Sequence, residues 1–171
     1  MNILYARAWY SKALALLNLK NQIGSEKNFE RALEAFDSVL KVNPEDTITL
    51  QYRGNTLRYL DRPEEAIEAF EKALVLDPDN VPALYFKGLA LSYPNMPKRA
   101  LETFEGVLTR NSKHAGALYY RGLALNQLSR DEEALEAFTK AAELNPESLR
   151  ACTIKGRSSL PLERTRKLLR L

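Results

Sequence analysis

The chain has 171 residues, of which 45% are hydrophobic and 27% charged, the make-up of a folded globular protein and not of a disordered one. One cysteine excludes an internal disulfide framework, one histidine leaves no Cys/His zinc cluster, and this usage suits a reducing, cytoplasmic setting. The net charge of +3 is too small to argue by itself for nucleic acid or a membrane, but its placement is uneven: residues 149–171 carry seven basic side chains against one acid, Glu163, so an acidic body ends in a basic tail.

From the amino end, residues 1–19 are rich in leucine and alanine, but Arg7 and Lys12 interrupt them and the order of a signal peptide is missing, so an amphipathic helix is expected. A membrane span needs about 20 mostly apolar residues, and no such run occurs. The first helix is expected over residues 3–21, followed by an extended turn through Lys27, because Gly24 and Ser25 favour a loop. A second helix carries Ala32, Phe36 and Val39 and stops before Pro44.

From there a 34-residue period takes over. Glycines recur at Gly54, Gly88, Gly122 and Gly156, alanines at Ala32, Ala66, Ala100 and Ala134, and phenylalanines at Phe36, Phe70, Phe104 and Phe138. Over residues 64–76 the apolar Ala66, Ile67, Phe70, Ala73 and Leu74 follow the i, i+3, i+4, i+7 pattern of one helix face, with Glu64, Glu65, Glu68, Glu71 and Lys72 opposite. Asp77-Pro78 ends that helix, and another begins near Val81 and runs through Leu84, Gly88 and Leu91. A glycine inside a helix costs about 1 kcal/mol relative to alanine. Its recurrence therefore predicts a close crossing between the two helices of each unit, with phenylalanine filling the space beside it. The last unit begins with Leu149, Cys152 and Gly156 and breaks at Pro161; residues 162–171 could form a short amphipathic helix that caps the array.

These columns resemble the tetratricopeptide repeat family, whose unit is also 34 residues. Residues 47–80 match its pattern with Leu50, Gly54, Leu57, Ala66, Phe70, Ala73 and Pro78; residues 81–114 and 115–148 match in the same register, with Ser112 in place of proline in the former. The resemblance implies an all-α, right-handed superhelix of stacked antiparallel helical hairpins. Its units would span about 6–46, 47–80, 81–114 and 115–148, with an incomplete fifth unit or cap over 149–171.

In that family, first-helix residues line the concave face where peptides bind. The matching residues here are Tyr10, then Gln51, Asn55, Arg58 and Tyr59, then Tyr85, Leu89 and Tyr93, then Tyr119, Leu123, Asn126 and Gln127. All eight tyrosines lie in or just before first helices. Tyrosine offers contact area at low entropy cost, which suits a peptide groove, but packing is the competing role, above all for Tyr85 and Tyr119. Tyr52, Phe86 and Tyr120 form a further aromatic column, expected to pack between neighbouring first helices. The family's clamp for a chaperone's terminal carboxylate would place its residues at Gln51, Asn55, Phe86, Gly116 and Tyr120; Asn55 alone matches, so that partner is not supported.

Catalytic, metal and cofactor sites are not expected. There is no glycine-rich phosphate loop; His114 falls at a hairpin junction, where solvation or helix capping is the expected role; and Cys152 holds an apolar position. Asp131-Glu132-Glu133 opens a second helix, where acids complement the dipole. The expected function is thus a non-catalytic interaction module or scaffold that binds a partner peptide on the concave face. Two alternatives stay open. One is a nucleic-acid-binding adaptor using the basic tail, which the acidic second helices argue against, and the other is a self-assembling repeat module. A membrane role for the tail is disfavoured by its short, moderately apolar face.

Overall fold

The computed structural model describes residues 3–18, 22–93 and 95–145. The tail, Cys152, Gly156 and the fifth unit lie outside them. Eight helices run through the described residues: α1 (Ile3–Asn18), α2 (Gln22–Val42), α3 (Thr47–Tyr59), α4 (Pro63–Leu76), α5 (Val81–Ser92), α6 (Pro97–Arg110), α7 (Ala115–Gln127) and α8 (Asp131–Leu144). Odd and even helices pair as hairpins, and each even helix also packs on the next odd one. Successive first helices touch one another, α1 with α3, α3 with α5 and α5 with α7, and no contact of comparable extent joins successive second helices. The first-helix layer is therefore the tighter, inner side of an all-α superhelix.

The ends of the helices repeat as well. Asp46, Asn80 and His114 stand immediately before α3, α5 and α7, and each side chain accepts the backbone N–H three residues on, from Thr49, Ala83 and Ala117, at 3.0, 2.9 and 3.0 Å. A capping acceptor satisfies one of the free N–H groups of a helix start and contributes about 1 kcal/mol. His114 thus takes the capping role through Nδ1. The second helices α4 and α6 open on Pro63 and Pro97, where the missing N–H costs nothing. Asp61, Asn95 and Ser129, in the turns inside the hairpins, all have left-handed backbone with φ of 56°, 56° and 60°.

Glycine and phenylalanine meet as the 34-residue columns predict. A Cβ added to Gly54, Gly88 or Gly122 would lie 2.8, 2.6 or 2.6 Å from the ring of Phe70, Phe104 or Phe138. The second-helix ring lies directly on the first-helix backbone, and Phe70 and Phe104 are fully buried. Ala66, Ala100 and Ala134 and the leucines Leu57, Leu91 and Leu125 complete each core.

One expectation is overturned. The seven extra residues of the first unit lengthen its second helix: α2 begins at Gln22, inside the expected turn, and runs 21 residues where α4, α6 and α8 run 14. Gly24 and Ser25 are helical. Seven residues are close to two turns, so the addition keeps the apolar face of α2 in phase. Ser25 and Asn28 are buried there, and the Asn28 amide donates to the Gly24 carbonyl at 2.5 Å. The helix is continuous through Gly24 despite a local cost of about 1 kcal/mol for a helical glycine.

Candidate functional site

The units are joined by two ladders with the period of the repeat. Tyr52, Phe86 and Tyr120 do not pack only among first helices; each stacks on the second-helix phenylalanine of the preceding unit. Phe36–Tyr52, Phe70–Phe86 and Phe104–Tyr120 have ring centroids 5.8, 6.3 and 5.7 Å apart and interplanar angles of 12°, 22° and 19°. Phe70 and Phe104 are therefore held between the glycine of their own unit and an aromatic ring of the next. One residue further on, Arg53, Lys87 and Arg121 reach back to Asp37, Glu71 and Glu105 at 2.6, 3.0 and 3.4 Å. Both members of each pair recur at a step of 34, a signal present in the sequence that a search for apolar columns passes over.

On the inner layer, the residues expected to contact a ligand divide by burial. Tyr10 is 7% exposed, and its ring lies against Phe29, Tyr52 and Tyr59 at 5.8, 5.5 and 6.4 Å. Its hydroxyl accepts a hydrogen bond from the Asn55 amide at 2.5 Å. Burial first, and the neighbouring Tyr59 second, raise the Tyr10 phenol well above its ordinary titration range. Asn55 is buried too, and its carbonyl oxygen accepts from Arg58 Nε at 3.1 Å. Tyr119 is 6% exposed and packs on Tyr120 and Phe138. Tyr85 is half-buried, its ring 4.6 Å from His114, and its hydroxyl fills the space where Gly116 has no side chain. Packing is thus the structural role of Tyr10, Tyr85 and Tyr119.

Tyr59 and Tyr93, alike in sequence position, part company. Tyr59 stacks on Phe29 at 4.8 Å and 6°, with the Arg58 guanidinium 4.4 Å from its ring centroid. Tyr93, at the end of α5, is 76% exposed. Gln51, Leu89, Leu123 and Asn126 are half-buried, and Gln127 is exposed. The Asn126 amide donates to Asp131 Oδ1 at 3.3 Å, tying the end of α7 to the start of α8. Among the described residues no group of His, Cys, Asp and Glu is placed to hold a metal, and no helix is long and apolar enough to cross a membrane.

Models of the tetratricopeptide repeat match residues 6–39, 48–80 and 96–148, together well over half of the chain. The chain belongs to the tetratricopeptide repeat family. Solved structures of tetratricopeptide repeat architecture resemble it over most of its length. A MamA crystal structure aligns at a TM-score of 0.70 and 26% identity, covering 87% of this chain and 91% of that one. MamA 41-end from Desulfovibrio magneticus RS-1 aligns at 0.68 and 25%, covering 95% and 92%. YrrB, described as a TPR protein with an unusual peptide-binding site, aligns at 0.62 and 24%, covering 88% and 74%, a likeness of fold. No curated protein matches the chain in sequence. Tetratricopeptide repeat proteins are in general non-catalytic, and the chain is a protein–protein interaction module by its repeats and its structural neighbours.

Proposed function

We infer that the module binds an extended or helical peptide segment of a partner protein along the inner, first-helix face. The observation that carries this reading is Tyr93, a large aromatic side chain left 76% exposed on that layer while every other tyrosine expected there is at least half-buried. An exposed tyrosine offers a partner large contact area and a hydroxyl at low entropy cost. Gln51, Leu89 and Leu123, half-buried on the first helices, and the exposed Gln127 would extend the surface along the same layer. Asn55 and Tyr10 act beneath the surface, setting the direction of Arg58 and the spacing of α1 and α3.

The test is recovery of partners by the intact chain from its own cell extract, against a Tyr93→Ala variant. Binding should weaken by about fivefold or more, the size of a modest hot-spot loss, with helicity and melting unchanged. Equal recovery by both proteins would remove Tyr93 from the binding surface and with it the support for this face.

A further inference from the structure

None of α1, α3, α5 and α7 contains an aspartate or glutamate, and together they carry Arg7, Lys12, Arg53, Arg58, Lys87 and Arg121. The helical acids sit on the other layer, in α2, α4, α6 and α8, and five more among the described residues, Glu45, Asp46, Asp61, Asp77 and Asp79, lie in the turns. Arg53, Lys87 and Arg121 are neutralised by the ion pairs between units. Arg7 and Arg58 are not ion-paired with any described residue; each lies instead on a tyrosine. The Arg7 guanidinium is 5.0 Å from the Tyr52 centroid, and Tyr52 stacks on Phe36; the Arg58 guanidinium is 4.4 Å from the Tyr59 centroid, and Tyr59 stacks on Phe29. Tyr10 touches both tyrosines. Two arginine–tyrosine–phenylalanine stacks thus flank one buried ring, and the Asn55 carbonyl fixes Arg58 through Nε.

We propose that these two stacked arginines are receptors for the carboxylates of an acidic peptide segment, which gives the partner of the inner face its chemical class. The proposal rests on the peptide-binding reading above and adds the charge of the peptide. A guanidinium stacked on a ring keeps its edge N–H groups available for carboxylate pairing and has little freedom left to lose on binding; in Arg58, whose Nε is held by Asn55, the two Nη groups serve. A nucleic acid fits less well. The faces of Tyr52 and Tyr59 on which bases would stack are taken by the protein's own arginine and phenylalanine.

Fluorescence anisotropy with labelled oligo-glutamate, oligo-lysine and oligothymidylate of equal length tests this on the intact chain. Oligo-glutamate should bind, weaken with added salt, and lose roughly tenfold in affinity in an Arg7→Gln/Arg58→Gln variant. Replacing Arg164, Arg166, Lys167 and Arg170 with Gln should leave most of the affinity in place. Circular dichroism checks the fold, and an Arg7→Lys/Arg58→Lys variant, which keeps the charge and loses the planar fork, should bind at intermediate strength. The proposal is overturned if oligo-glutamate fails to bind, if the tail substitutions abolish binding and the Arg7/Arg58 pair does not matter, or if oligothymidylate binds tighter through the same two arginines. Neutral peptides selected from a random library that still protect the first helices from hydrogen exchange would sink this inference and leave the proposed function standing. If no peptide of any composition protects them, both fall.

Discussion

Gly88→Ala and Gly106→Ala are the same chemical change, each in the middle of a helix, and they should have opposite signs. Either substitution gains about 1 kcal/mol of helix propensity. At Gly106 the new Cβ would meet only Arg110 Nη1, at 3.9 Å, so most of that gain should appear as added stability. At Gly88 it would meet three atoms of the Phe104 ring, at 2.6, 2.8 and 3.0 Å. Ordinary carbon contact is about 3.5–4.0 Å, so the ring or the helix must retreat by nearly 1 Å. Phe104 has no room for this: it is fully buried, and Tyr120 of the next unit stacks on it at 5.7 Å. Overpacking of this kind costs about 1–3 kcal/mol, which leaves Gly88→Ala destabilised by up to about 2 kcal/mol after the propensity gain. Guanidinium unfolding followed by far-ultraviolet circular dichroism measures both. Gly88→Ala as stabilising as Gly106→Ala would refute the close crossing and the reason given for the glycine column.

Other substitutions separate the roles of residues that the sequence treats alike. Tyr59→Ala should cost about 2–3 kcal/mol by thermal or chemical unfolding because it removes the stack on Phe29, whereas Tyr93→Ala should change stability by less than about 0.5 kcal/mol. Ser129→Val places a β-branched side chain at φ 60° and should cost about 1–2 kcal/mol, while Ser129→Asn should be tolerated. His114→Ala should lose about 1 kcal/mol of capping, largely restored in His114→Asn. The phenol of Tyr10 keeps its proton in the folded chain at a pH where an unfolded tyrosine, ordinarily near 10, has lost it. Its contribution is therefore complete below that value and falls as pH rises above it, so Tyr10→Phe should flatten the alkaline decline in melting temperature.

The 34-residue period made most of the fold legible, because glycine, alanine and phenylalanine are each chosen by one repeated contact: Phe70 on Gly54 is the same event as Phe104 on Gly88. The place of the first unit's extra residues was not legible. Gly24 and Ser25 read locally as a loop, yet both lie inside α2, where Ser25 is buried. The inner layer of first helices was legible in the spacing, but the depth of each ring on it was not. First-helix spacing brings Tyr10, Tyr59, Tyr85, Tyr93 and Tyr119 to one side, yet how deep each ring lies depends on its neighbours across units. Phe29 claims Tyr59, Gly116 leaves room for Tyr85, and nothing among the described residues covers Tyr93 to the same degree. Ion pairs such as Arg53–Asp37 escaped notice because their members are 16 residues apart and on different helices.

The account turns on which layer of the superhelix meets the partner. Hydrogen–deuterium exchange of the intact chain, with and without a peptide selected for binding to it, answers this directly. It should show protection concentrated in α3, α5 and α7 and in the turn holding Tyr93. Protection confined to the acidic faces of α4, α6 and α8, or to residues 149–171, would contradict it.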